Sequence, residues 1–112
     1  MLIVDDHAAF RCLARELFEA EGFDVVGEAA DAASALRCAA ELCPDVVLLD
    51  VQLPDRDGIA IARELEQSGP AVVLTSSRSA DDLGPRLRHA GGRGFIAKDD
   101  LSGAAVQALL DA

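Results

Sequence analysis

Short apolar runs alternate with amphipathic stretches from one end of this chain to the other, five times over. Leu2-Ile3-Val4, Phe23 to Ala29, Val46 to Asp50, Ala71 to Leu74 and Gly94 to Ala97 are β-favouring runs bounded by polar or turn residues, the pattern of strands. The run from Phe23 is partly polar, as expected of a strand near a sheet edge. Between the runs, apolar residues recur at helical spacing. Phe10, Leu13, Ala14, Leu17 and Phe18 form one helix face, which Glu21-Gly22 stops. Asp31 caps the next helix, with Leu36, Ala39 and Ala40 inward, and Pro44 ends it. Ile59 to Gln67 faces inward through Ile61, Ala62 and Leu65, and Leu101 to Leu110 is a last helix. Strand and helix in regular alternation imply a parallel sheet covered on both faces. Right-handed crossovers and a strand order of 2-1-3-4-5 place the first and third strands side by side at the switch point.

One unit is irregular. Gly84-Pro85 interrupts the stretch from Ser79 to Ala90. Proline is tolerated in a helix's first turn and costs about 3 kcal/mol in its interior. The expectation is a first-turn kink or a helix that begins at Pro85, ended by Gly91-Gly92.

The 112 residues suit one domain with one aliphatic core, since 51% are hydrophobic and only 4% aromatic. A net charge of −10 argues against nucleic-acid binding by this segment, because such affinity rests on Lys and Arg neutralising phosphates. No apolar stretch approaches membrane-spanning length, and no basic region precedes the first apolar run, so neither a membrane span nor a signal peptide is expected. Cys12, Cys38 and Cys43 lack metal-ligand spacing. An odd number of thiols, read as mostly buried, fits a reducing cytoplasm.

The ends of the strands carry the chemistry. The first runs into Asp5-Asp6, the third ends in Asp50, the fourth in Thr75-Ser76-Ser77, and the fifth in Lys98, the only lysine. Taken singly, each reads as a turn, cap or solvated residue. In parallel strands they meet at one sheet edge, where ligands of open α/β sheets bind. Adjacent strands lie about 4.8 Å apart, so the carboxylates can share a hard divalent cation such as Mg²⁺. Asp50 can act as nucleophile toward phosphorus, with Lys98 neutralising the transferred group and Thr75 donating to one of its oxygens.

These segments resemble the receiver domain of bacterial two-component response regulators. The matching pieces are Leu2-Ile3-Val4-Asp5-Asp6-His7, Asp45-Val46-Val47-Leu48-Leu49-Asp50, Leu53-Pro54-Asp55 with Asp57-Gly58, Val73-Leu74-Thr75-Ser76, and Gly94-Phe95-Ile96-Ala97-Lys98. The Asp-Asp-His start, the Cys43-Pro44-Asp45 turn and the Lys98-Asp99 pair look like the NarL/LuxR subgroup. The resemblance implies a flavodoxin-like (CheY-like) (βα)₅ three-layer sandwich over residues 1–112, with no effector domain within the chain. It implies that Asp50 accepts phosphate from a sensor histidine kinase. It implies Mg²⁺ held by Asp6, by Asp5 partly through water, by Asp50 and by the Gln52 backbone carbonyl. Thr75, Ser76 and Lys98 become the phosphate-binding residues, and Thr75 and Phe95 the switch pair. Signalling then runs through the fourth helix, fifth strand and fifth helix, with homodimerisation on activation and transcriptional output through a domain elsewhere. Many receivers have proline after the lysine, joined by a cis peptide; Asp99 implies a trans bond here. His7 is expected to cap a helix or line the rim.

Two other functions compete. A phosphate-independent binding module has no need of all these groups. A turnover phosphatase of the haloacid dehalogenase type needs a carboxylate two residues after the nucleophile, where this chain has Gln52.

Overall fold

The computed structural model describes residues 1–89 and 91–112. Five parallel strands, β1 (Leu2–Val4), β2 (Gly27–Ala29), β3 (Val46–Asp50), β4 (Ala71–Ser76) and β5 (Gly94–Ala97), form one sheet in the order β2-β1-β3-β4-β5. The helices are α1 (Ala8–Ala20), α2 (Ala32–Leu42), α3 (Gly58–Gln67), α4 (Ala80–Leu83) and α5 (Gly103–Asp111), with 3₁₀ turns over Gly84–His89 and Lys98–Asp100. This is the CheY-like architecture that the resemblance implied, and the parallel sheet covered on both faces that the alternation of strand and helix implied.

Alternate residues of each strand enter opposite layers, because strand side chains have period two. Leu2, Val4, Val47, Leu49, Val72 and Leu74 pack with Ala32, Ala35, Ala39, Ile61, Ala62 and Leu65 of α2 and α3. Ile3, Val46, Leu48, Val73 and Ile96 pack on the other face with Ala14, Phe18 and Val106 of α1 and α5. Both faces are covered, so the central strands are apolar at consecutive positions and turn polar only where they leave the core.

Several elements depart from their expected form. β2 is three residues long, because the segment from Phe23 meets the N-terminus before it reaches the sheet: the Met1 ammonium donates to the Asp24 carbonyl and the Val26 N–H to the Met1 carbonyl. β4 runs on through Thr75 and Ser76, which pair with Ile96 and Ala97 of β5. α5 begins at Gly103 rather than Leu101, since the Ser102 hydroxyl accepts from the Ala105 N–H at 3.0 Å and caps it there. Leu13 is 66% exposed rather than inward. It lies about 120° round α1 from the line between Ala14 and Phe18 at 100° per residue. Ala40 is exposed for the same reason, about 100° on from the buried Ala39. The thiols are not mostly buried: Cys12 and Cys43 are exposed and Cys38 is half-buried, because Cys12 is on the solvent side of α1 and Cys43 is the left-handed C-cap of α2, with φ +48°.

The Gly84-Pro85 pair has a larger effect than a first-turn kink, and no α-helix starts at Pro85. α4 is a single turn that stops at Leu83. Gly84 adopts φ +64°, which glycine tolerates, and the chain continues as a 3₁₀ turn. The expected end of the segment at Ala90 lies outside the described residues. All described peptide bonds are trans, including that to Asp99.

Candidate functional site

Asp5, Asp6, Asp50, Thr75, Ser76 and Lys98 all lie at the carboxyl edge of the sheet, because parallel strands end on the same side. The register sets Thr75 beside Asp50 on one flank and Ile96 on the other. Asp5 extends β1 by one further ladder bond, from its N–H to the Ala29 carbonyl at 3.0 Å. Its side chain is fully buried. Oδ1 accepts from the His7 N–H at 2.8 Å, and Oδ2 lies 2.6 Å from Lys98 Nζ. That contact is a short ion pair, and it gives the buried Asp5 Oδ2 the Lys98 ammonium as its close partner.

Asp50 is also buried. Its Oδ1 accepts from the Gln52 N–H at 3.0 Å, and Oδ2 is 3.4 Å from Lys98 Nζ. Lys98 opens the 3₁₀ turn after β5 and reaches back with its side chain 16% exposed. Asp6 is at the rim, 36% exposed, with Oδ1 3.0 Å from His7 Nδ1. His7 stands at the N-cap of α1 but makes no side-chain cap bond; its ring spans Asp6 and Asp5 Oδ1 instead. Of the two roles expected for it, the rim is the one the structure supports.

Burial sets the electrostatics of the two inner acids, and their neighbours separate them. Desolvation, followed by the nearby Asp5 charge, pushes Asp50 up to about 6, against the opposing pull of the Gln52 N–H and Lys98. Desolvation also acts to raise Asp5, but the Lys98 ammonium and the His7 N–H outweigh it and its pKa is lowered. The pair therefore holds its first negative charge on Asp5, and Asp50 is the more readily protonated member.

Ligand atoms of Asp5, Asp6, His7 and Asp50 lie within 4.8 Å of one another. Three carboxylates, two of them buried, share the Lys98 ammonium. A compact, oxygen-rich and under-neutralised donor set of this kind fits a hard divalent cation.

The loop after β3 shapes the far wall. Gln52 bridges to Asp57 in antiparallel fashion, Asp57 caps α3 by accepting from the Ile59 N–H at 3.0 Å, and Asp55 accepts from Ala32 and Ala33 at the start of α2. Arg86 forms an ion pair with Asp57 and so ties the 3₁₀ turn to this loop. The Thr75 hydroxyl is buried and donates to the Ile96 carbonyl at 2.7 Å. Ser76 accepts from the Arg78 N–H at 3.0 Å. Phe95 is half-buried against the α2–α3 layer. Phe10 reads in the sequence only as part of a helix face, yet its ring centroid lies 4.2 Å from Lys98 Nζ. Core and site residues share the 3.6-residue spacing, so nothing in the sequence marks it.

A five-stranded parallel sheet with two buried acids and a lysine at its carboxyl edge defines a receiver-like module. The chain belongs to the response regulator receiver domain family, whose model matches residues 1–109. It is 40% identical over 100 residues to the transcriptional regulatory protein PdtaR of Mycobacterium tuberculosis, a match over 88% of this chain and 48% of that protein. The chain thus spans about half the length of the curated relatives it matches. A two-component response regulator of the LuxR family from Aurantimonas sp. SI85-9A1 superposes with a TM-score of 0.83 at 32% identity, covering 98% of this chain and 81% of that one. The CheX–CheY–BeF₃–Mg²⁺ complex from Borrelia burgdorferi superposes with a TM-score of 0.78 at 29% identity, covering 97% and 84%. The NarL/LuxR resemblance carried by the Asp-Asp-His start, the Cys43-Pro44-Asp45 turn and the Lys98-Asp99 pair agrees with the LuxR-family regulator from Aurantimonas. No described helix is long and apolar enough to cross a membrane.

Proposed function

We propose that this chain is a phosphorylation-activated switch in which Asp50 takes a phosphoryl group from a sensor histidine kinase. The observation that carries the reading is the Lys98 ammonium set 2.6 Å from Asp5 and 3.4 Å from Asp50 in a buried acid pair. A carboxylate oxygen of Asp50 attacks phosphorus; the new P–O bond forms as the bond to the donor's leaving group breaks. Lys98 turns its charge from the acids to a phosphoryl oxygen, and the Thr75 hydroxyl and the Ser76 region meet the others. Asp5, Asp6, Asp50 and the Gln52 carbonyl are the groups that would hold Mg²⁺, which supplies charge neutralisation at the transferred group. The Borrelia burgdorferi CheY complex, held with BeF₃ and Mg²⁺, supports this assignment by likeness.

The chain then acts as a phosphoacceptor rather than a turnover enzyme. Its output passes through the face of α4, β5 and α5, by homodimerisation and a transcriptional effector domain outside residues 1–112. The setting is the cytoplasm, where a kinase has access to it. The test is intact-mass measurement after incubation with acetyl phosphate and Mg²⁺. One phosphoryl group on the wild-type chain and none on Asp50→Asn is expected. An unlabelled wild type, or stoichiometric labelling of Asp50→Asn at another residue, overturns the reading.

A further inference from the structure

We infer that Phe10 is a positioning residue that holds the Lys98 ammonium at the acid pair. The inference rests on Lys98 being the phosphoryl-binding group.

Among the described residues, Lys98 Nζ is close to Asp5 Oδ2, Asp50 Oδ2 and the face of Phe10, whose centroid is 4.2 Å away. A cation within about 6 Å of an aromatic centroid is attracted by the ring quadrupole, more strongly where water is excluded. Lys98 is only 16% exposed, so the contact is largely desolvated. The same two groups line a cleft of about 190 Å³ with Leu13, Ala14, Leu17 and Leu101. Its apolar walls offer the lysine stem packing but no polar partner, so the head group is directed toward the acids.

The placement on the chain gives the ring its leverage. Phe10 is the third residue of α1, and α1 starts at Ala8, three residues after Asp5. Asp5 and the ring are therefore carried by one short joint between β1 and α1, and the ring keeps its distance from Asp5 whatever the β5 turn does. A lysine has four rotatable side-chain bonds, and ordering them lowers the chance that the ammonium is in place when phosphate arrives. An aliphatic residue at position 10 fills the same wall without attracting the cation.

Lys98 is the only lysine in the chain, so lysine labelled with ¹³C at Cε gives a single side-chain NMR signal. In the wild type its ε protons are expected upfield of free lysine through the Phe10 ring current. In Phe10→Leu that shift disappears, phosphorylation by acetyl phosphate at saturating Mg²⁺ slows on the order of fivefold, and Mg²⁺ affinity by calorimetry is unchanged. Phe10→Tyr, which keeps the ring, restores both signal and rate. A wild-type ε-proton signal at the free-lysine position overturns the inference without any variant. So does Phe10→Leu at the wild-type rate, or Phe10→Tyr as slow as Phe10→Leu. A wild-type chain that takes no phosphate overturns the proposed function instead, while the lysine signal still decides whether the ring holds the ammonium.

Discussion

Lys98 lies closer to Asp5 than to Asp50: its Nζ is 2.6 Å from Asp5 Oδ2 and 3.4 Å from Asp50 Oδ2. The ammonium therefore pairs first with the residue at the end of β1 and leaves Asp50 under-compensated, in agreement with the raised pKa of Asp50 and the lowered pKa of Asp5.

Asp50→Asn should stabilise the metal-free fold. At neutral pH the wild type holds Asp50 ionised although its pKa has moved from 3.8 to about 6. Each pKa unit is about 1.4 kcal/mol, so removing the charge should gain on the order of 3 kcal/mol. Urea melts in EDTA should show a higher midpoint with an unchanged slope. A variant no more stable than its parent would show that Lys98 already compensates Asp50.

The same shifts fix the sign of the pH dependence. A carboxyl whose folded pKa is raised binds its proton better in the fold, so its contribution falls as pH rises from about 3.8 to about 6 and is flat above. Asp5 acts oppositely: its folded pKa is lowered, so its contribution is intact above 3.8 and is lost as pH falls through the folded value. The stability gap between Asp50→Asn and wild type should open between pH 4 and 6 and stay constant above. A gap independent of pH over that window contradicts the titration of Asp50.

Divalent binding should weaken in acid. A proton on Asp50 competes directly with a cation in the cluster, so Mg²⁺ affinity measured by calorimetry should fall by up to tenfold per pH unit below about 6. At neutral pH millimolar Mg²⁺ should raise the melting temperature of the wild type and narrow its gap to Asp50→Asn, since binding to the fold alone stabilises it. Equal affinity at pH 5 and pH 7.5 would place the ion away from Asp50.

Gly58→Ala should damage both fold and site. A Cβ at Gly58 falls 2.2 Å from the Asp50 carbonyl oxygen and 2.8 Å from Val51 Cα, and both are backbone. Overpacking of this kind costs about 1–3 kcal/mol. The strain bears on the residue that carries the nucleophile, so phosphorylation by a small donor should slow as well. Wild-type stability in chemical melts would mean that the start of α3 moves freely away from β3.

The parts of this molecule legible in its sequence are those set by local physics. Val46 to Leu49 reads as a central strand because it is apolar at every position, and it is buried on both faces. Asp5 and Asp50 are legible because each stands where an apolar run stops. The departures come from packing between elements. Leu13 fits the helix period, but Ala14 and Phe18 decide which side of α1 faces the sheet. The run from Phe23 looks like a strand until the Met1 N-terminus ties down its first half. Gly84 signals a break in the helix but does not encode the 3₁₀ turn beyond it. The preference of Lys98 for Asp5, and the ring of Phe10 beneath it, depend on three elements meeting, which no local pattern encodes.

Phosphorylation should break the bond between the Thr75 hydroxyl and the Ile96 carbonyl. That hydroxyl is buried and donates across the β4–β5 pair at 2.7 Å, while the backbone of Thr75 is paired with Asp50. A phosphoryl group on Asp50 offers the same hydroxyl a charged acceptor, and charge-assisted hydrogen bonds are roughly twice as strong as neutral ones. Turning toward it leaves the Ile96 carbonyl short of one donor and opens space beside the half-buried Phe95 next to it in β5. The ring should then move further inward. The 3₁₀ turn over Gly84–His89 should shift with it, because Leu87 and Phe95 pack on the same layer and Arg86 is tied to Asp57 in the loop after Asp50. Phosphate can shift this balance only through contacts that differ between the two states, and Thr75 is the group whose partner changes. NMR with beryllofluoride and Mg²⁺ should shift Thr75, Phe95, Ile96 and the 84–89 turn in the wild type. Thr75→Ala should still bind beryllofluoride but confine the shifts to residues around Asp50. Shifts that reach the 84–89 turn unchanged in Thr75→Ala would mean that the coupling bypasses Thr75, and that the Asp57–Arg86 tie alone carries it.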